Sequence, residues 1–416
     1  LKGKSLGVCR IPSVKTLDNL SSALSMIISL ISKEASQEVI MDGLVSLLSK
    51  YSKNLSELEE KLVNSFIMSS TAFKFNKTPT IVSFTLPLGV EQKIVNVVLS
   101  AYKTYVELTP RPRIGLVINY EKGKITDVSN ILAEIISLGG EIIFAKHNIS
   151  QNGVTRLKNT GSSTLHLGSL SINLPRLAFE SNKDETYFRA RLALLMKPAL
   201  ASMSLRKKNI SELVRLGMNP ILANNTQYMQ RCSTSLVINL VGLRDAVFGI
   251  LGFKDDKQGH VVLHKVVETS VDIALKKAKE LGIDVLVTMT KSDGSGRFIS
   301  LDEEKYGKNS ILKITENETY TEGVVIDATT LADLTIKSPQ IVECNRMAKT
   351  LNGGLFTQVK IPNGSKITEI KKNIEKVSNL TNSFKLIMRV PLCGNCGMKD
   401  QTLVDKCPTC KSSYII

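Results

Sequence analysis

The chain has 416 residues, 43% of them hydrophobic and 22% charged, the makeup of an ordinary globular protein. The balance of 54 Lys+Arg against 38 Asp+Glu gives a formal net charge of +16, which favours an anionic partner. Aromatic content of 5% with no tryptophan argues against a base-stacking platform, and no uncharged run of about 18 residues is present to cross a bilayer. The length exceeds the usual single-domain limit, yet a large α/β barrel reaches it with one core. Cys9, Cys232 and Cys344 stand alone, and no secretory signal accompanies them, so the reading is a reducing cytoplasm.

Apolar residues at three- and four-residue spacing, from Leu17 through Leu24 to Ile31, predict helix over 15–50, and a second helix follows over 55–70, capped by Asn54. The period then changes. Short β-branched runs at 80–86, 114–119 and 141–145 read as buried strands, with helices over 90–107 and 126–138 between them. This alternation indicates parallel β/α architecture. Residues 147–168 have no period, and a loop of about twenty residues inside a compact domain is usually functional. Beyond it the pattern predicts a helix over 184–216, a strand over 234–240, a helix over 260–281 and a strand over 284–290. The last third adds strands near 311–315, 354–360 and 384–390 and helices near 338–350 and 365–377.

Ser292-Asp-Gly-Ser-Gly296 after a strand either presents backbone N–H groups to a phosphate or is a tight turn; it fits neither a P-loop nor a dinucleotide fingerprint. His260 and His264 share a helix face but have no third ligand in view, so a satisfied pair is the plainer reading. His147 and His166 flank the long loop without a nucleophile. The tail is different. Cys393-Gly-Asn-Cys396 and Cys407-Pro-Thr-Cys410 have four-cysteine metal spacing, and the expectation is a closed, structural zinc site with no open position for chemistry. Gly397 suits the close turn of such a knuckle.

Several stretches in order resemble the catalytic domain of anaerobic (class III) ribonucleoside-triphosphate reductases, the glycyl-radical family. They are Leu17–Ser25, Thr78-Pro-Thr-Ile-Val-Ser-Phe, Ser169-Leu-Ser-Ile-Asn-Leu-Pro-Arg, Ser233-Thr234 with Leu240-Val-Gly-Leu-Arg-Asp, Ser292–Phe298, Asn352-Gly-Gly-Leu-Phe356 and the cysteine tail. The resemblance implies reduction of ribonucleotides to deoxyribonucleotides in a ten-stranded α/β barrel over 1–390. It places a finger loop at 147–168 and a zinc-binding tail at 391–416. It implies that Asn173 reaches the ribose and that Ser292, Gly294, Ser295 and Gly296 hold substrate phosphates. Implied partners are ribonucleoside triphosphates and a homodimer mate or reductase subunit, with a radical-SAM activase only if the chain is catalytic.

Two departures touch the chemistry. The family carries its radical cysteine at the finger tip in a Cys-Cys-Arg-Leu context, where this chain reads Val154-Thr155-Arg156-Leu157. A threonine O–H bond is much stronger than S–H, so Thr155 cannot take that role. The family's glycyl radical loop should follow the second cysteine pair, where the sequence reads Ser412-Ser-Tyr-Ile-Ile416, so no glycyl radical is expected in this chain. The sequence therefore supports a reductase-like protein, degenerate or dependent on a second chain, its enzyme form using a shifted cysteine at Cys232 or Cys344. It equally allows a non-catalytic nucleotide-binding partner of an intact reductase, with a nucleic-acid-binding zinc ribbon as the weaker alternative.

Overall fold

The computed structural model describes residues 14–51, 53–72, 81–121, 123–146, 149–155, 164–218, 232–292, 294–315, 318–400 and 405–416. Cys9, Thr78 and His147 lie outside them, as do Asp293 and residues 156–163 of the expected finger.

The first half alternates as its sequence pattern dictates. Helix α1 (Leu17–Glu34) starts where the Thr16 side chain accepts the Asn19 N–H and buries Leu20, Ala23, Leu24 and Ile28. The long helix expected to 50 is interrupted by strand β1 (Glu38–Met41) before the short α2 (Leu44–Leu48). Val39-Ile40 is β-branched, and β1 finds a parallel partner in β2 (Ile81–Pro87), so pairing overrides the helical spacing. Next come α3 (Leu55–Ala72), α4 (Gln92–Leu108), β3 (Ile114–Asn119), α5 (Ser129–Ser137) and β4 (Glu141–Ala145).

The second half opens with β5 (Thr164–Asn173), which claims residues 164–168 of the expected loop. It continues through α6 (Leu174–Glu180), α7 (Glu185–Arg215), β6 (Ser233–Val241) and one stretch of π-helix, Asp245–Ile250. Helix α8 (Lys257–Leu281), β7 (Val285–Met289) and α9 (Ser295–Tyr306) follow. The strand expected near 311–315 is instead α10 (Lys308–Leu312) with a turn behind it, and Ile311, Ile314 and Thr315 turn inward at helical rather than alternating spacing. Last come β8 (Val324–Asp327), α11 (Pro339–Thr350), β9 (Gly354–Leu355), β10 (Thr357–Lys360), α12 (Ile367–Leu380) and β11 (Ser383–Ile387).

The expected closed ten-stranded barrel is not what the ladders form. The described strands make one sheet of seven, β1-β2-β3-β4-β11-β10-β8, and one of four, β5-β6-β7-β9. Pairing is parallel throughout except where β11 meets β4. The strands that would close the ring are short, and Gly354 takes φ +113, outside the strand region, which splits one extended segment into β9 and β10. Phe356, between them, still joins the sheets: its N–H donates to Met289 O and its carbonyl accepts from Val324 N–H.

Alternation along the strands decides where each side chain goes. Leu116, Ile118, Ile142 and Phe144 belong to the large core beneath the helices. Their neighbours Val117, Ile143 and Ala145 form a separate cluster with Ile149 and Phe356 on the other face. Both faces of the large sheet are thus covered, as a parallel sheet requires. Among the described residues no helix is long and apolar enough to cross a membrane.

Candidate active-site cavity and metal centre

The segment covering that inner face is the described part of the expected finger, 149–155. It folds back on itself: Ile149 bridges Thr155, Ser150 N–H donates to Val154 O at 2.8 Å, and Gly153 N–H returns to Ser150 O at 3.0 Å. Gly153 has φ +90, a backbone region in which a side chain is strained. The apex is therefore Gln151-Asn152-Gly153, and Val154 and Thr155 lie on the returning arm.

Both sheets hold the apex. On the large sheet, Glu38 Oε1 accepts Gln151 N–H at 2.8 Å, and Gln151 Nε2 donates to Leu116 O at 2.6 Å. On the small sheet's side, Thr155 N–H donates to Gly353 O at 2.8 Å and Lys291 N–H to Asn152 O at 3.2 Å. Two glycines make the fit possible. A Cβ on Gly115 would stand 2.9 Å from Gln151 Nε2, and one on Gly354 would stand 2.3 Å from Gly153 O.

Glu38 is the unexpected group here. Burial pushes its carboxyl above the usual range, against the opposing pull of Gln151 N–H, the Ser83 hydroxyl and the Lys385 charge. Its Oε2 and the Oε1 of Gln151 are both buried without a hydrogen-bond partner. Lys385 itself is ion-paired with Glu141.

Beside the finger lies a cavity of about 510 Å³, a volume suited to a nucleotide-sized ligand. Asn152 and Val154 form one wall, β5 and β6 a second, and Thr290-Lys291-Ser292 a third. Asn239, buried mid-strand, ties the second wall to the third: its Oδ1 accepts Thr290 N–H at 2.8 Å, and its Nδ2 donates to Thr290 O at 2.9 Å. Ser171 and Ser292 meet across the cavity at 2.9 Å.

The expected substrate residues divide. Ser292 lines the cavity; Asn173, Gly294, Ser295 and Gly296 do not. Asn173 caps α6, accepting Arg176 N–H at 3.1 Å, and its Nδ2 donates to Asp302 at 2.8 Å. Arg176 and Tyr320 satisfy the rest of that fully buried carboxylate. Gly294–Gly296 begin α9, where Gly294 N–H is taken by Ser292 Oγ and Ser292 N–H by the Glu322 carboxylate. Among the described residues no cysteine lines the cavity. Cys344 is buried under α11 against Thr357, its thiol pushed up to about 11 by burial, and Cys232 stands just ahead of β6. His264 and His260 are buried and face carboxylates, Glu268 at 2.8 Å and Asp255 at 3.1 Å, which fits the plainer reading of that pair.

Sequence reasoning missed Glu38, Gln151, Arg206 and Lys291. Only Asn239 left a legible signal, as a lone amide inside the apolar run Leu236-Val-Ile-Asn-Leu240.

The four tail cysteines do come together, with all sulfurs within 4.8 Å of one another. Cys393 and Cys410 sulfurs are 3.5 Å apart and Cys396 and Cys407 sulfurs 3.6 Å, too far for disulfides. Those spacings are close to the roughly 3.8 Å edge of a tetrahedron with metal–sulfur bonds of about 2.3 Å. The donor set therefore fits a bound metal ion. Each pair closes a knuckle turn, with Gly397 N–H on Cys393 O and Lys411 N–H on Cys407 O, and both Gly397 and Lys411 have positive φ. The Ser412 N–H beside Cys410 holds its thiol down to about 6, favouring the thiolate that a metal takes. Lys399 fastens the tail to the fold by donating to Val106 O at 2.6 Å and Leu138 O at 3.2 Å, at the C-terminal ends of α4 and α5.

Fold and site together define an α/β protein in which a hairpin segment is held between two sheets, beside a polar cavity, with a four-cysteine cluster fit to hold a metal ion in its tail. A model of the anaerobic ribonucleoside-triphosphate reductase family matches residues 123–415, and the chain belongs to that family. The solved structure of an anaerobic ribonucleotide reductase is 16% identical, with a TM-score of 0.68, covering 98% of this chain and 71% of its own. The Thermotoga maritima anaerobic ribonucleotide reductase in complex with dATP and CTP is 15% identical, with a TM-score of 0.69, covering 98% of this chain and 75% of its own. The same enzyme with glycerol in the active site gives 16%, 0.68, 98% and 73%. At such identities the likeness establishes the fold. No curated protein sequence matches the chain.

Proposed function

We propose that this chain is a reductase-family protein that binds a ribonucleoside triphosphate in the cavity beside the finger and does not carry out the radical reduction by itself. One observation carries the reading: among the described residues the cavity lining supplies amides, hydroxyls, the His166 imidazole and two cations, and no thiol. Abstraction of a ribose hydrogen and its return needs a group whose X–H bond is weak, and none of these qualifies. Cys344 and Cys232 line no part of the cavity, which argues against a shifted cysteine. The two sheets act as facing walls of one enclosure over most of 1–390, and the tail, 391–416, is a separate brace. The metal is zinc, held by Cys393, Cys396, Cys407 and Cys410; filled by four thiolates, it would supply structure and leave no position for a substrate.

The reading is tested under anaerobic conditions with a radical-SAM activase and ribonucleoside triphosphates. Calorimetry is expected to show nucleotide binding while no deoxynucleotide accumulates. Deoxynucleotide formation by this chain alone would overturn it. Turnover that appears only when an intact reductase subunit is added would identify the chain as that subunit's partner.

A further inference from the structure

We infer that Arg206 and Lys291 form an anion clamp across the mouth of the cavity, and that the phosphates of its ligand sit between them and not on the Gly294–Gly296 turn. This rests on the reading of the cavity as a nucleotide site.

The charge of the lining is one-sided. Arg206 and Lys291 face the cavity, and among the described residues no aspartate or glutamate lines it. Around the two cations are donors suited to a polyphosphate: Ser36, Gln37, Asn152, Ser169, Ser171 and Ser292. Arg206, on α7, packs across β5 beside the register shift between His166 and Gly168: a Cβ on Gly168 would lie in ordinary van der Waals contact, 3.5 Å from Arg206 Cδ. On the opposite wall, the backbone of Lys291 is fixed by its N–H bond to Asn152 O at the finger apex.

Neither charged end is hydrogen-bonded or ion-paired to a described residue. The carboxylate that feels Lys291, Glu141, is already paired with Lys385. The Gly294–Gly296 turn offers an anion less. The Glu322 carboxylate occupies the Ser292 N–H, and a phosphate there would meet that negative charge.

The test is calorimetric titration of the full chain with inorganic tripolyphosphate, a ribonucleoside triphosphate and the corresponding nucleoside. It compares the wild type with Arg206→Gln and Lys291→Gln, whose melting curves are checked first. Both side chains are exposed, so the variants should fold. The clamp predicts that tripolyphosphate and nucleotide compete, and that each variant weakens both by roughly 10-fold or more, the worth of one charged hydrogen bond. Unchanged affinities in both variants would overturn the clamp and leave the nucleotide reading standing. If tripolyphosphate binds through the two cations and the nucleoside moiety adds nothing, the clamp stands and the nucleotide reading falls. A wild type that binds neither ligand removes both.

Discussion

Glu38 meets the finger through a single oxygen. Its Oε1 holds the Gln151 N–H and the Ser83 hydroxyl, and its Oε2 is buried without a partner. A carboxyl raised by burial binds its proton in the folded state over a range where the unfolded chain has already released it. Its contribution is therefore complete below the ordinary value of 4.5 and is lost as pH rises through the raised one. Glu38→Gln keeps the accepting oxygen and removes the titration. The stability of wild type relative to this variant should fall between acid and neutral pH, as read from melting temperatures across that range. A difference that does not change with pH would mean the proton is not held there. Nothing near Ser36-Gln-Glu-Val-Ile-Met41 announces this role, because what isolates the carboxyl is Ser83 and Gln151, 45 and 113 residues away.

At the scale of elements, the finger and the strand it rests on are matched glycine to glycine. Gly354 combines a φ of +113 with a carbonyl oxygen 2.3 Å from where its Cβ would stand. Neither condition can be relieved by rotating a side chain, since Gly153 O is backbone. Gly354→Ala should destabilise the protein by about 2–4 kcal/mol in chemical denaturation. Hydrogen exchange should quicken at the Gly153 and Thr155 amides, while the β2–β3 ladder stays protected. A variant as stable as wild type, with a protected finger, would show that the finger does not depend on this close approach. Most elements were legible in advance: β3 and β4 fall on their predicted ranges, and α7 and β6 within a residue or so. The twelve-residue α9 and the ten-residue β5 were not read in advance, and the shorter misses share a cause. In β1, α10 and β8 only four or five residues are in play, too few for a periodicity, and the neighbour decides the outcome.

For the whole molecule, the question is how the tail belongs to the rest. Lys399 reaches the ends of two helices, and the four sulfurs gather next to it. Removing the metal with a chelator should free four thiols to a thiol reagent and open 391–416 to protease. The main melting transition should move by only a few degrees, because the large core contains no residue of the tail. Four thiols that react fully before the chelator is added would exclude a bound metal, and collapse of the whole fold would make the tail integral to it.

Sequence alone determined what is local. Period and β-branching set the α/β alternation, the two C-x-x-C pairs set the metal donors, and the lack of any cysteine between Cys9 and Cys232 removed the thiol from the finger. These are properties of neighbours along the chain, and neighbours are what a sequence states directly. Tertiary structure decided the rest: that the ladders divide seven and four, that Asn173 serves Asp302 and a helix cap, and that Arg206 and Lys291 face one cavity. Each of these joins groups far apart in sequence, and a one-residue change of strand register would turn every inward side chain outward.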